Sequence, residues 1–339
     1  MIRVTTNGTL LNYKSNLTRS SNTLNSTRNR VLTQRNYSSF AEDPASATLA
    51  FKLRCSFSRT NAQLDSTTTL KSKFSAACDA LKSVKSDMAD SQAKISALAG
   101  LNDAEASGRQ PLGEVLRSSA ESIVQIMNSK YSSAFMFGGA DSLGDAPFKL
   151  ETDGDKTYLT YRGVQVDKPE NAAALKAMTD ETSCVDIGSG LTDADGAFNG
   201  ALSGISYIGY GVDEDGDPKN MASIMLKLSD IFGRCDADSG AWASDKDKVD
   251  ATRLTGKLTD SIDEITNQWT ALDGQTSYLK TSENRLTLLA DNLNEQILGV
   301  EQVDLASAIK DFSWAQYCYN AALKVGNSIL SQSLIDYMS

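Results

Sequence analysis

The 339 residues contain no histidine. This removes the commonest general acid–base group and the commonest metal ligand. Ser-His-Asp and Cys-His catalysis are excluded outright. No Gly-rich phosphate loop and no Cys-x-x-Cys spacing occurs, so no cofactor or metal site is expected and the chain does not read as an enzyme. Proline is scarce, at 5 residues, and aromatics make up 7%, which favours long helices over many short strands. No run of 18 apolar residues exists, so no membrane span is expected, and the first twenty residues lack the apolar core of a secretory signal peptide. The cysteines number five, Cys55, Cys78, Cys184, Cys235 and Cys318. Their odd count and wide spacing predict free thiols buried as small apolar groups rather than a disulfide framework. Basic residues do not cluster beyond Arg28, Arg30 and Arg35, and the net charge is −10. A nucleic-acid binder would carry a basic stripe, so none is expected.

What the chain does have is heptad periodicity. From Leu305 an apolar seam runs through Ile309, Phe312, Gln316, Tyr319, Leu323, Gly326 and Leu330 in alternating steps of four and three. That is the spacing of a helix burying a narrow stripe against another helix. A weaker seam near the N-terminus places Leu10, Leu17, Leu24 and Val31 seven apart, with Tyr13, Ser20, Thr27 and Gln34 between them. So little apolar surface predicts an end segment that is disordered in the isolated chain. Asp43 and Pro44 then read as N-cap and first residue of a long helix, with Leu53, Thr60, Thr67, Phe74, Leu81, Met88 and Ile95 on one face and Gly100 as its stop. A further helix is expected from Pro111. Another long one follows, with its seam on Leu258, Ile262, Ile265, Trp269, Leu272, Thr276, Leu279, Glu283, Leu286, Ala290, Leu293, Ile297 and Val300. The phase slips after Val300, so residues 299–304 read as a hinge between two rods, with Asp304 able to cap the second.

Between the helical halves the composition changes. Gly and Asp become frequent over 141–216 and the heptads vanish. Thr157–Val166 reads as a hairpin, and 183–187 and 204–210 as further strands. The run Asp213 to Asp217 resembles a calcium loop but fails it, because Gly216 falls too early and Ile224 stands where a bidentate Glu belongs. Asp217 and Pro218 read instead as the start of a helix running to about Arg234.

Four stretches carry a family resemblance. Glu42 to Ala45 resembles an Asp-Asp-Pro-Ala motif at the start of a long helix. Asn128 to Gly139 resembles an Asn-Thr…Tyr-Ile-Phe-Gly-Gly exit from a second helix. Val303 to Ala306 resembles the Val-Asp-Leu-Ala start of a terminal helix, and Ser333 to Met338 a Ser-Leu-Leu-Asp-Tyr-Leu ending. In this order the chain resembles the flagellin-like axial proteins of the bacterial flagellum, and among them the hook-associated protein 3 (hook–filament junction) group. It departs from that pattern in lacking a glycine near Arg35 and Asn36 and in carrying five cysteines. Flagellin's own Ser-Ser-Gly-Leu-Arg-Ile-Asn signature is absent.

The resemblance implies a mainly α fold with a small β-containing insertion: an elongated antiparallel long-helix bundle whose helical termini pair on assembly. It implies a terminal assembly domain, disordered in the monomer, from 1–42 with 301–339. It further implies a rod domain from 43–140 with 217–300, and an outer insertion at 141–216. The assembly interface is then expected on Leu10, Leu17, Leu24, Val31, Leu305, Ile309, Phe312, Tyr319, Leu323, Leu330 and Leu334. The implied function is structural: a secreted, self-assembling subunit at the hook–filament junction. Its implied partners are copies of itself, the neighbouring hook-associated protein, flagellin, an export chaperone and the type III export apparatus. The alternatives are flagellin itself, the filament subunit, and a non-flagellar coiled-coil scaffold or adhesin.

Overall fold

The computed structural model describes residues 2–97, 103–154, 156–188 and 197–338; the side chains of 2–7, 9, 97, 103–105 and 329–338 lie outside the description. In chain order the helices are α1 (Ile2–Thr33), α2 (Pro44–Ala97), α3 (Arg109–Met127), α4 (Ala172–Thr179), α5 (Gly204–Ile208), α6 (Met221–Gly233), α7 (Asp245–Glu301) and α8 (Leu305–Met338). The strands are β1 (Lys130–Tyr131), β2 (Ala134–Phe135), β3 (Phe148–Asp153), β4 (Lys156–Tyr161), β5 (Val164–Gln165), β6 (Cys184–Val185) and β7 (Phe198–Asn199). The chain forms two compact units, Met1–Asn61 with Thr287–Ser339, and Ala62–Leu286; α2 and α7 each contribute to both.

The heptads of the second unit are read directly as burial. On α2 every seventh residue from Thr67 through Phe74, Leu81 and Met88 to Ile95 is buried, and on α7 so are Leu258, Ile265, Leu272, Leu279 and Leu286. Each large apolar side chain so placed contributes about 1.5–3 kcal/mol. Leu112, Leu116, Ala120 and Ile123 of α3 pack against α6, whose Ile224, Met225, Leu228 and Phe232 are all buried. The expected stop at Gly100 lies outside the described residues.

The expected hairpin is present, extended by one strand. β3, β4 and β5 form an antiparallel sheet in that order, with Phe148 opposite Tyr161 and Leu150 opposite Leu159. Arg162 and Gly163 make the β4–β5 turn with φ of 52° and 80°, the type I′ geometry that matches strand twist. The Asn128–Gly139 motif joins this sheet to the helices. Asn128 caps α3, and its side chain donates to the Phe148 carbonyl at 2.7 Å and accepts from the Phe148 N–H at 3.0 Å. The buried Tyr161 hydroxyl donates to the Phe137 carbonyl at 3.0 Å.

Three sequence expectations change here. The stretch 204–210 is not a strand: α5 occupies most of it, burying Ile205 and Ile208, three apart, on one side. The helix expected from Pro218 starts later. Asn220 is its N-cap, accepting from Ala222 and Ser223 N–H groups at 3.0 and 3.3 Å, while Pro218 bridges back to Val212. Of the cysteines, Cys78 and Cys235 are buried as expected, but Cys55, Cys184 and Cys318 are exposed thiols.

Candidate assembly interface

In the first unit α1 and α8 pack against each other. On α1, Tyr13, Leu17, Ser20, Leu24, Thr27 and Val31 are each half-buried, while Leu10, at 42% exposure, and Gln34, just past the helix end, are exposed. The α8 face is rotated from the expected one. The covered positions are Ala308, Phe312, Ala315, Tyr319, Ala322 and Gly326, again in steps of four and three. Phe312 and Tyr319 therefore lie within the pair, whereas Leu305, Ile309 and Leu323 stay 43%, 48% and 43% exposed. The side chains of Leu330 and Leu334 lie outside the described residues.

A seam of small residues lets backbones come close. The Tyr13 ring of α1 lies where a Cβ on Gly326 would sit, and its hydroxyl donates to the Ala322 carbonyl at 3.1 Å. Weighting by hydrophobicity hides Ala308, Ala315 and Ala322, whereas Gly326 already lies on the expected seam. The signal that finds the alanines is their seven-residue spacing, which gives a four-three pattern together with Phe312, Tyr319 and Gly326 of the expected seam.

The helix breaks at the two ends of the pair lock together. α7 ends at Glu301 and α8 begins at Leu305, where the phase slip placed a hinge. Asp304 caps α8, accepting from the Ala306 N–H at 3.1 Å and the Ser307 hydroxyl at 2.8 Å. Across from this break, Arg35 and Gln302 form an antiparallel bridge. The Asn36 N–H donates to the Glu301 carbonyl at 2.8 Å, and its side-chain amide to the Val300 and Gln302 carbonyls at 3.2 and 2.8 Å. Asn36 thereby satisfies carbonyls that the end of α7 leaves open. Glu301 is gripped by Arg54 through two hydrogen bonds of 2.7 and 2.6 Å, a fork geometry that fixes orientation. Asp43 caps α2 as expected, accepting from the Ser46 N–H at 3.0 Å. Hydrogen bonding from Ser46, side chain and then backbone, holds its carboxyl below its ordinary value.

Gln34, at this joint, has φ of 57°, the left-handed region that a side chain adopts at a cost of roughly 1–2 kcal/mol. It stands immediately before Arg35 and Asn36, the residues that bridge to the end of α7. Gln34→Gly is expected to leave the chain as stable or up to about 1 kcal/mol more stable, and Gln34→Val to lose about 2 kcal/mol. Urea unfolding followed by hydrogen exchange at α1 and α8 measures both.

The acidic run in the second unit is a salt-bridge cluster. The Lys257 ammonium contacts Asp213, Asp215 and Asp217 at 2.5, 3.0 and 2.6 Å. The three carboxylates have oxygens within 4.8 Å of one another, and the lysine holds the place a cation would take. Burial pushes the Asp217 carboxyl up, but hydrogen bonds from Arg253, Lys227 and Lys257 outweigh it and hold it well below the usual carboxylate range. Among the described residues no helix is long and apolar enough to cross a membrane.

The chain folds as long helices with small antiparallel sheets and paired terminal helices, a fold it shares with a solved hook-associated protein structure. Among solved structures the chain is similar to a protein of Vibrio parahaemolyticus assigned as a flagellar hook-associated protein. The identity is 14% over 76% of this chain and 99% of that one, with a TM-score of 0.58. A second similar structure, FlgL of Bacillus cereus, has 16% identity over 73% of this chain and 99% of that one, with a TM-score of 0.49. No protein-family model matches the chain, and no curated protein matches it.

Proposed function

We propose that this chain is a structural, non-enzymatic subunit of the bacterial flagellum, placed at the hook–filament junction and assembled through its terminal helices after type III export. The observation that carries the reading is the α1/α8 pair on a hook-associated fold. The pair covers one face of α8 and leaves Leu305, Ile309, Leu323 and Trp314 exposed on it. Apolar surface of this kind on a terminal helix calls for further helices, and neighbouring copies supply them. In this reading 1–42 and 301–339 are the assembly domain, loose until the chain is outside the cell. Residues 43–140 with 217–300 form the rod, and 141–216 face outward. The hook-associated neighbour and flagellin flank it, and a chaperone holds it before export.

Leu323→Asp separates assembly from folding. Leu323 is nearly half exposed, so the substitution is expected to change chain stability by less than about 1 kcal/mol. It is expected to abolish incorporation into flagella when expressed in the source bacterium lacking its own copy. Full motility restored by Leu323→Asp would refute the interface. Immunogold labelling of isolated flagella tests the location: a band at the distal end of the hook supports the junction, and label along the filament makes the chain a flagellin.

A further inference from the structure

A cleft of about 590 Å³ lies in the second unit, between the β3–β5 sheet and α6. It uses no residue of the α1/α8 pair. One wall carries Tyr158 of β4 and, just beyond β5, Asp167. The other is a single face of α6, where Ser223, Leu226, Lys227 and Ile231 follow at helical spacing. The volume lies within the range of small-molecule sites.

Two polar groups on this cleft are unused by the fold. The Asp167 Oδ1 atom and the Ser223 hydroxyl are both enclosed, and neither completes a hydrogen bond among the described residues. Ser223 is only 6% exposed. Buried polar atoms in native proteins nearly always have partners, and a pair without them on one cleft points to a ligand. Burial pushes the Asp167 carboxyl up to about 6, and the nearby Ser223 hydroxyl and Lys227 ammonium pull it back only in part. The carboxyl is therefore short of donors.

The rest of the lining decides the class of ligand. Its charged side chains balance, four acidic against four basic, so the cleft as a whole favours neither an anion nor a cation. Lys227 already places positive charge near Asp167, which disfavours an amine there, and the carboxyl itself repels an anion. A neutral hydroxyl both donates and accepts, so it serves the two open atoms together. Tyr158, Leu226 and Ile231 add apolar surface on which the C–H face of a ring can lie. We propose that this cleft binds a neutral saccharide, one sugar hydroxyl donating to Asp167 Oδ1 and accepting from the Ser223 hydroxyl. The site goes beyond the structural-subunit reading and does not depend on it.

The test is saturation-transfer NMR and calorimetric titration of the full-length chain with glucose, galactose, N-acetylglucosamine, lactose and maltose. At least one is expected to bind with a Kd of about 1 mM or tighter. Asp167→Asn exchanges a charge-assisted hydrogen bond for a neutral one and should weaken that binding about tenfold or more. Ser223→Ala should weaken it about fivefold. Because the Ser223 hydroxyl makes no bond within the fold, Ser223→Ala is expected to melt with wild type, which separates lost binding from lost structure. No binding of any of these sugars up to about 50 mM overturns the proposal and leaves the two atoms to water. Binding that ignores both variants places the sugar elsewhere and overturns it too. So does tighter binding of spermidine or of N-acetylneuraminic acid than of any neutral sugar, which makes the cleft a cation or an anion site. None of these results bears on assembly, which Leu323→Asp tests separately.

Discussion

Asp217→Ala is expected to cost the second unit about 3 kcal/mol at neutral pH, the low end of what removing one partner of a buried ion pair costs. The side chain is fully buried, and it accepts from Lys227 at 2.7 Å, from Lys257 at 2.6 Å and from Arg253 at 2.7 and 3.3 Å. Without it Lys257 keeps Asp213 and Asp215, and Arg253 keeps Asp250 at 2.8 Å, but Lys227 loses the ion pair it makes here. The three cations are 20–40% exposed, so water recovers part of the loss and the expected cost sits at the lower bound.

The same contact fixes a pH dependence. The folded carboxyl titrates below its ordinary value of 3.8, so the folded state holds fewer protons than the unfolded one through that range. The contribution is present in full above the unfolded value and is lost as pH falls through the folded one. Urea midpoints of wild type and Asp217→Ala should differ at pH 7 and draw together as pH falls below 3.8 and on through the lower folded value. A gap that stays constant with pH would show that packing, not charge, is what Asp217 supplies.

Gly326→Leu is expected to open the α1/α8 pair without disturbing the second unit. The Tyr13 ring occupies the space the new side chain needs. The ring must swing out, breaking its hydrogen bond to Ala322. Overpacking of this kind costs about 1–3 kcal/mol, against about 1 kcal/mol gained in helix propensity when Gly is replaced. Because α1 offers only half-buried Leu17, Leu24 and Val31 in return, the loss is large relative to what holds the pair. The measurement is hydrogen exchange: protection across α1 should fall while that of α6 stays unchanged. Adding Tyr13→Ala should recover part of the protection, since residues in contact do not act independently. If α1 is as well protected in Gly326→Leu as in wild type, the close approach at Gly326 is not what aligns the helices.

Much of the helical frame is legible in the sequence because a heptad is a local signal. Phe74, Leu81, Met88 and Ile95 on α2, and Leu258 to Ile297 on α7, are spaced so that one helix face is apolar whatever the partner. Burial follows from that face alone. Caps are local too: Asp43 and Asp304 sit immediately before the turns they serve. The start of α6 is ambiguous at this level because Asp217-Pro218 and Asn220 are both good local starts. Three cations from α6 and α7 draw Asp217 away from capping.

The candidate interface divides along the same line. On α1 a single face carries Tyr13, Leu17, Leu24 and Val31, so the sequence alone settles which side is covered. On α8 two four-three stripes share Phe312, Tyr319 and Gly326; one adds Leu305, Ile309 and Leu323, the other Ala308, Ala315 and Ala322. Periodicity cannot choose between them. The choice belongs to the tertiary structure: α1 comes close enough for Tyr13 to fill the space over Gly326, alanines rather than leucines fit beneath so close a neighbour, and Leu305, Ile309 and Leu323 remain for other contacts. The acidic run was likewise readable as carboxylates at close spacing, but Lys257, forty residues beyond Asp217, decides that they form an ion-paired lock. Chain-local spacing carries no information about a cation that only folding brings near.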